Sequence, residues 1–245
     1  MHAGGLGDLL SIGPADFAPD LLELAAAQPA RPLVGAAVGN EDWAEILYTG
    51  GTTGRSKGVI QSQRGRAAIT LASQLAYELP LEPVYVAAAP ITHAAVHFVV
   101  PALLRGGTVV LLDGFRPDEF IDSVNRHHAN LSFLVPTMIY RLLDHDSPIG
   151  MPTLRRVIYG ASPMSPSRLI DAHRRLGRIF TQIYGQTETL ALGTALLSAE
   201  HDLSDPARLL SCGRAVPGTR IALLGEDHMA VETGQIGEIA IRSPA

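Results

Sequence analysis

The chain has 245 residues, of which 47% are hydrophobic and 18% are charged, so its composition is that of a folded globular protein and not of a disordered one. The formal net charge is −5, from 19 basic and 24 acidic side chains, which argues against a nucleic-acid-binding surface. Only one of the basic residues, Lys57, is a lysine; the others are arginines. The single cysteine, Cys212, excludes an internal disulfide and favours a cytoplasmic location.

Short apolar runs alternate with helical patterns along most of the chain. Residues 1–40 are rich in Gly, Ala and Pro, with one helix candidate at 19–27. The runs typical of strands lie at 44–48, 84–88, 108–112, 131–135, 156–159 and 179–184. The helical patterns lie at 64–79, 117–128, 136–144 and 165–176. This alternation predicts an α/β fold, with a mostly parallel, doubly wound sheet and flanking helices.

The ends of the chain differ from this α/β core in composition and in the spacing of their apolar runs. After residue 210 short strands separated by Gly-containing turns predict the start of a small β-subdomain. The predicted division is therefore 1–40, an α/β core at 41–210, and a β-subdomain at 211–245. Residues 83–104 contain no charged side chain but hold three prolines, which favours a strand, a turn and a buried helix over a membrane span.

The segment 48–58 (YTGGTTGRSKG) follows an apolar run and contains the only lysine. Glycines let backbone N–H groups converge on an anion, threonine hydroxyls add donors, and Lys57 adds a positive charge. This pattern predicts a phosphate cradle, with a plain surface hairpin as the alternative. It is not a Walker A loop, because Lys57 is followed by Gly58 where that motif requires Ser or Thr. The predicted phosphate-binding residues are Thr49, Gly50, Gly51, Thr52, Thr53, Gly54 and Lys57.

Three further motifs follow other apolar runs. The first, 89–97 (APITHAAVH), places His93 and His97 four residues apart. This spacing is consistent with ordinary packing of both rings, whereas a metal site is disfavoured because no acidic residue lies nearby. The second, 159–164 (YGASPM), has only half of a nucleophile elbow, since Met164 stands where glycine is required. The third, 184–189 (YGQTET), carries Glu188 in the kind of loop where α/β sheets bind ligands.

Together these motifs resemble the adenylate-forming (AMP-binding) superfamily, which includes acyl-CoA synthetases, aryl-CoA ligases and adenylation domains. YTGGTTGRSKGV resembles its phosphate loop and YGQTET its YGxTE motif, whereas Val96 departs from a glycine that is usual after the family's histidine. The resemblance implies catalytic roles for Lys57, His93, Thr187 and Glu188, with His93 near the acyl group and Thr187 at the phosphate. It implies nucleotide contacts by Gly160, Ala161, Ser162, Pro163, Tyr184, Gly185, Gln186 and Thr187, and Mg²⁺ binding at Thr53 and Glu188.

The resemblance also implies a reaction. ATP activates a carboxylic acid to an acyl-adenylate, and coenzyme A then receives the acyl group. The motifs are most similar to those of bacterial fatty-acyl-CoA synthetases, which implies that the acid is a fatty acid. The family's enzymes extend beyond both ends of this chain and carry a second essential lysine, so the chain is expected to be part of a ligase and to show little turnover alone. The alternatives are an aryl-CoA ligase and a non-catalytic nucleotide- or acyl-binding remnant. The sequence does not indicate an oligomeric state.

Overall fold

The computed structural model describes residues 10–11, 13–29, 35, 37–49, 56–145 and 150–244, so that Gly50, Gly51, Thr52, Thr53 and Gly54 of the predicted phosphate loop lie outside the described residues. The chain separates into two compact units, 1–38 and 39–245. The predicted domain boundaries at 40 and 210 stay predictions.

The first unit contains one short helix, α1 (Leu21–Ala26). Asp20 precedes the helix, and its Oδ1 accepts hydrogen bonds from the backbone N–H groups of Leu22, at 2.9 Å, and Gly13, at 3.0 Å. This carboxylate therefore caps the helix N-terminus, where backbone donors have no partner within the helix.

The second unit holds the other helices and all the named strands of the described residues. Its strands are β1 (Trp43–Thr49), β2 (Lys57–Ser62), β3 (Val84–Ala87), β4 (Thr108–Leu111), β5 (Leu131–Leu134), β6 (Arg156–Tyr159), β7 (Phe180–Tyr184), β8 (Thr194–Leu196), β9 (Arg214–Ala215), β10 (Arg220–Leu224) and β11 (Glu238–Arg242). Its α-helices are α2 (Gln63–Ala76), α3 (Val99–Leu104), α4 (Pro117–Arg126), α5 (Pro136–Leu143) and α6 (Pro166–Leu176). Helices α4, α5 and α6 begin at a proline, whose missing N–H would have no partner there.

Seven strands form the main sheet, in the order β4-β3-β5-β6-β7-β8-β9. The five strands from β4 to β7 run parallel, and β8 and β9 are antiparallel to their neighbours. The predicted α/β class with a mostly parallel, doubly wound sheet is confirmed. The carboxyl ends of the parallel strands therefore meet along one edge, where sheets of this kind bind ligands.

Two apolar cores lie on the two faces of this sheet. Helices α4, α5 and α6 supply one core, with Phe120, Ile139 and Leu169 fully buried. Helix α2 and the segment leading into α3 supply the other, with Ile69 and Phe98. Because side chains alternate along a strand, each central strand feeds both cores, and the sheet is held rigidly between two layers of helices.

The run predicted at 44–48 is a strand but not a member of the parallel sheet. It forms β1, which pairs antiparallel with β2 in a separate two-stranded hairpin. The sequence pattern missed β2, because its buried residue is the polar Gln61 while Ile60 is half exposed. The described ends of the predicted phosphate loop, Thr49 and Lys57, therefore belong to these two strands, and the choice between a phosphate cradle and a plain hairpin stays open.

The charge-free stretch 83–104 folds as a strand followed by short helices. It contains β3, a 3₁₀ helix (Ala94–Phe98) and the six-residue α3. Among the described residues, none of the helices combines the length and the apolar character that crossing a bilayer requires. Beyond residue 210, β10 and β11 pair antiparallel in a second small sheet, in keeping with the short strands predicted there.

Candidate functional site

A cavity of about 710 Å³ lies in the second unit where the hairpin meets the carboxyl-end edge of the main sheet. Three groups of residues form its wall: the end of β1, the segment 92–97 that follows β3, and the turn 185–188 that follows β7. Phe133 and Ile183 add apolar surface from β5 and β7. The cavity thus joins polar loop ends to an apolar interior, as small-molecule sites do.

The turn after β7 is the most constrained part of the wall. A Cβ atom on Gly185 would come within 2.4 Å of the backbone of Ala191, so only glycine fits there. The N–H of Ala191 donates to the carbonyl of Gln186 at 2.9 Å, and Leu190 and Ala191 both adopt left-handed backbone conformations, with φ of 53° and 58°. Strain of this kind is held in place only by surrounding structure and is typical of functional turns.

Two buried side chains hold this turn from outside. Gln61 of β2 donates from Nε2 to the carbonyl of Thr187 at 3.1 Å, and Tyr77, after α2, donates from its hydroxyl to the carbonyl of Ala191 at 3.3 Å. Burial raises the pKa of Tyr77 well above its usual value, so the hydroxyl stays protonated and available as a donor. The exposed carboxylate of Glu188 therefore projects from a turn that is anchored on both sides.

The loop after β6 lies beside this turn. A Cβ atom on the buried Gly160 would meet the carbonyl oxygen of Ile183 at 2.5 Å, which fixes glycine at the end of the strand. Ala161 has a φ of 68°, a left-handed conformation that is uncommon for a residue with a side chain, and it lines the cavity. Ser162 and Pro163 are exposed next to it.

Two histidines reach the cavity from the segment after β3. His93 is exposed, and its Nδ1 lies 3.0 Å from the hydroxyl of Thr92. His97 is buried, and its Nδ1 lies 3.0 Å from Nη1 of Arg66 on α2. Burial, and then the charge of Arg66, lower the pKa of His97 to about 4, so its ring is neutral at pH 7.

The hairpin brings Thr49 and Lys57 together on either side of the connection that it makes. The two residues are partners in the β1–β2 ladder, and the hydroxyl of Thr49 lies 3.5 Å from the carbonyl of Lys57. Thr49 lines the cavity, whereas Lys57 is exposed at the start of β2. The end of β1 therefore lies on the cavity wall, and the glycines and threonines of the predicted cradle that follow it in sequence, 50–54, lie outside the described residues.

The structure brings many of the predicted site residues to one place. Those on the cavity wall are Thr49, His93, Ala161, Gly185, Gln186, Thr187 and Glu188. Those described but not on the wall are Lys57, Gly160, Ser162, Pro163 and Tyr184. Within the described ranges, no cluster of three or more His, Cys, Asp or Glu side chains could hold a metal ion by itself.

Sequence reasoning gave no specific role to Gln61, Arg66 or His97. The hydrogen bond from Gln61 to the Thr187 turn spans 126 residues of chain, and the contact between Arg66 and His97 spans 31. Neither pairing has a local sequence signal. The spacing of His93 and His97 was the only available indication that both rings face the same site.

The fold is a doubly wound sheet with a cavity at the carboxyl ends of its parallel strands, the place where proteins of this class bind ligands. The family model for the AMP-binding enzyme matches residues 9–245, and the chain belongs to that family.

Relatives and solved structures that are similar to the chain include ligases and a synthetase. The chain is 38% identical to the medium/long-chain-fatty-acid–CoA ligase FadD8 of Mycobacterium tuberculosis, over 98% of this chain and 43% of that protein. It is 32% identical to the indoleacetate–CoA ligase of Aromatoleum aromaticum, over 81% of this chain and 39% of that protein. The amide bond synthetase McbA of Marinactinospora thermotolerans superposes with a TM-score of 0.86 at 31% identity, over 97% of this chain and 47% of that one. The chain therefore spans less than half the length of these relatives.

Proposed function

We propose that this chain carries the ATP- and acyl-binding region of an acid–thiol ligase, which converts a medium- or long-chain fatty acid into an acyl-adenylate and then into an acyl-CoA thioester. One observation carries the proposal. Thr187 and Glu188 line the same cavity as Thr49 and His93, so that hydroxyl, imidazole and carboxylate groups border an apolar space. Membership of the AMP-binding family and the similarity to FadD8 support this interpretation.

The proposed reaction has two steps, adenylation of the acid and transfer of the acyl group to a thiol. In the first, a carboxylate oxygen of the acid attacks the α-phosphorus of ATP, and pyrophosphate leaves as the bond between the α- and β-phosphates breaks. In the second, the thiol of coenzyme A loses its proton to solvent, its sulfur attacks the acyl carbon, and AMP leaves as the bond between that carbon and the phosphate oxygen breaks. The carboxylate is already a nucleophile, so the site needs no strong general base, and catalysis consists of positioning and charge stabilisation.

The groups at the cavity fit this requirement. We assign Lys57 and the predicted cradle residues, from Thr49 to Gly54, to the phosphates of ATP, and the hydroxyl of Thr187 to the phosphate that stays with the adenylate. Glu188 would hold Mg²⁺ together with phosphate oxygens, water and Thr53. Hard oxygen donors with only one or two carboxylates are the ligands that Mg²⁺ prefers beside a nucleotide, and the exposed carboxylate of Glu188 supplies one.

We assign the adenine to the loop after β6 and the adjoining residues of the β7 turn. Gly160 keeps the loop close to β7, and the left-handed Ala161 turns the backbone toward the cavity. Ser162 and Pro163 follow on the exposed side, Gly185 and Gln186 border the same space, and Tyr184 precedes them at the end of β7.

We assign the acyl group to the apolar part of the cavity, near His93, Phe133 and Ile183. The name of FadD8 supports a fatty acid of medium or long chain, hence a role in fatty acid metabolism. An aromatic acid is the second candidate, because indoleacetate–CoA ligase is also similar to this chain and Phe133 is among the residues that line the cavity. A region that binds nucleotide without catalysis is the third. A cytoplasmic location is proposed on the single cysteine alone.

Calorimetric titration of the 245-residue chain with MgATP tests the nucleotide part of the proposal. We expect saturable binding that is competed by AMP, and Lys57→Ala is expected to weaken it about tenfold or more, because a charge facing the phosphates is lost. Arg64→Ala is the matched control, since Arg64 is an exposed cation of α2 that pairs with Glu41 at 3.3 Å. Equal affinity of Lys57→Ala and the unaltered chain would show that the cradle assignment is wrong.

A panel of acids tests the substrate. Octanoate, palmitate, indoleacetate and ferulate are titrated in the presence of AMP, and the fatty acids are expected to bind more tightly than the aromatic ones. Tighter binding of the aromatic acids would support the aryl-CoA ligase instead, and absence of any acid binding in a chain that binds ATP would favour the non-catalytic alternative.

A further inference from the structure

Three side chains from three different elements form a chain of contacts that ends at the cavity. Glu45 of β1 places Oε1 3.0 Å from Nη1 of Arg66 on α2. The same Nη1 lies 3.0 Å from Nδ1 of His97, which lines the cavity. Arg66 and Glu45 are both largely buried, with side chains 21% and 26% exposed, so the arrangement is more constrained than a surface ion pair.

This arrangement fixes the protonation of the His97 ring. A guanidinium group has only donors, so Nδ1 of His97 must be the acceptor in its contact with Arg66. A neutral imidazole that accepts at Nδ1 carries its proton on Nε2. The pKa of His97, lowered to about 4 by burial and by the charge of Arg66, keeps the ring in this neutral form at pH 7.

The Nε2–H group of His97 is therefore a donor of fixed orientation in a site that is otherwise partly apolar. No hydrogen-bond partner for it occurs among the described residues, and Phe133 and Ile183 line the same cavity. Water in the open cavity can pair with this donor, so a bound group that displaces the water without supplying an acceptor costs free energy. A cavity that held only a plain hydrocarbon chain would leave this donor unpaired, whereas an oxygen atom on the bound acyl group would satisfy it.

We propose that His97 is a specificity-determining residue whose Nε2–H donates a hydrogen bond to an oxygen atom on the acyl part of the substrate. The site then prefers acids that carry a hydroxyl, carbonyl or ether oxygen away from the carboxyl group over plain alkyl acids of equal length. Arg66 and Glu45 are positioning residues, which act through the ring of His97. This inference rests on the proposed function and narrows its substrate class.

Acyl-sulfamoyl-adenosine probes, which imitate the acyl-adenylate, test the preference. The probes carry a decanoyl chain or a decanoyl chain with one hydroxyl at carbon 3, 5 or 7, and an acetyl probe reports binding of the nucleotide part alone. Calorimetry on the 245-residue chain is expected to show one hydroxylated probe bound about tenfold more tightly than the decanoyl probe, because a site built around a donor rejects a partner that lacks the acceptor.

Variants of His97 then separate specificity from folding. His97→Phe is expected to reduce the ratio of the two affinities to about one, and His97→Gln, which keeps a donor at a similar reach, is expected to restore part of the ratio. Equal affinity of all decanoyl probes for the unaltered chain would overturn the inference. An equal loss for every probe in His97→Phe would also overturn it, since the ring would then contact the common part of the probes.

The role of Arg66 has its own readout. Nitrogen-15 NMR of the histidine rings is expected to show the Nε2–H form of His97 in the unaltered chain and a mixture of tautomers in Arg66→Met. Arg64→Met, on the exposed side of the same helix, is the matched control and is expected to leave the spectrum of His97 unchanged. A mixture of tautomers in the unaltered chain would overturn the positioning role. Failure of the acetyl probe to bind would instead show that the proposed function is wrong.

Discussion

Gln61 and Thr187 join the hairpin to the turn after β7 through a single hydrogen bond of 3.1 Å, from the side-chain Nε2 of Gln61 to the backbone carbonyl of Thr187. Gln61 is only 3% exposed, and its Oε1 is buried without a hydrogen-bond partner among the described residues. Burial of this unpaired oxygen costs free energy, and the hydrogen bond to Thr187 opposes that cost.

Gln61→Met is expected to weaken MgATP binding with little loss of stability. Methionine fills a similar volume and removes the unpaired oxygen, and the carbonyl of Thr187 keeps its bond from the N–H of Leu190, so the free energy of unfolding should change by less than about 1 kcal/mol. The released turn should lower the affinity for MgATP roughly three- to tenfold, as measured by calorimetry. Gln63→Met makes the same change at the start of α2 and should have neither effect; equal weakening in the two variants contradicts the anchoring role.

Glu188→Gln is expected to remove the benefit that Mg²⁺ gives to ATP binding. The amide keeps the size of the side chain but loses the negative charge that a hard divalent cation requires. Titrations with ATP should show about tenfold weaker binding in Mg²⁺ and unchanged binding in EDTA. Glu226→Gln, an exposed acid of the β10–β11 connection, is the control. An unchanged dependence on Mg²⁺ in Glu188→Gln would mean that another group holds the ion.

Gly160→Ala is expected to destabilise the protein and to disturb the adenine loop. The new Cβ atom would lie 2.5 Å from the carbonyl oxygen of Ile183, so β6 and β7 must separate at their carboxyl ends. Forcing an extra carbon into a packed site costs about 1–3 kcal/mol, which urea unfolding would detect. At Gly150 a Cβ atom would have no neighbour within 4 Å among the residues that the structure describes, and Gly150→Ala should unfold like the unaltered chain. Similar losses in both variants would exclude a specific clash.

His173→Phe is expected to reduce the sensitivity of stability to acid. Burial, followed by the charges of His201 and Arg178, lowers the pKa of His173 to about 4, and both ring nitrogens are buried without a hydrogen-bond partner among the described residues. In the unfolded chain the ring takes up a proton near pH 6.5, whereas in the folded protein it stays neutral down to about pH 4. The contribution of the neutral ring to the free energy of unfolding is therefore complete above pH 6.5 and is lost as the pH falls toward 4. The full difference is on the order of 3 kcal/mol for one such histidine.

Urea unfolding at pH 7 and pH 5 measures this effect. Phenylalanine packs against Phe180 in the same way, at a ring separation that is now 5.1 Å, and does not titrate. The difference in stability between the two pH values should therefore be smaller in His173→Phe. His127→Gln, at an exposed position after α4, should leave the difference as it is. An unchanged difference in His173→Phe contradicts a neutral buried ring at this position.

The parallel sheet was predictable because its strands are short apolar runs between helices with clear starts. The runs at 84–88, 108–112, 131–135, 156–159 and 179–184 correspond to β3 through β7, and α4, α5 and α6 begin at the prolines that indicated them. The order of the strands was not predictable, because it depends on which helices cross which face. The hairpin partner β2 was missed, since Gln61 and Ile60 reverse the usual pattern of buried apolar and exposed polar residues.

The candidate site was predictable only where its residues are adjacent in sequence. The turn 184–189 and the loop 159–163 follow strands directly, and resemblance to the AMP-binding family supplied their roles. Gln61, Arg66 and His97 reach the site through contacts between distant segments, so nothing in their immediate sequence neighbours indicates them. Only the fold brings the partners of these contacts together.

The separation of the hairpin from the main sheet also has a consequence for folding. Strands β1 and β2 are close in the chain, and hairpins of this kind form within microseconds, as local contacts do. The bond between Gln61 and Thr187 closes a loop of 126 residues, so it forms only after the parallel strands between them have assembled. We therefore expect the nucleotide site to be the last part of this unit to mature, and the first to be lost when the protein begins to unfold.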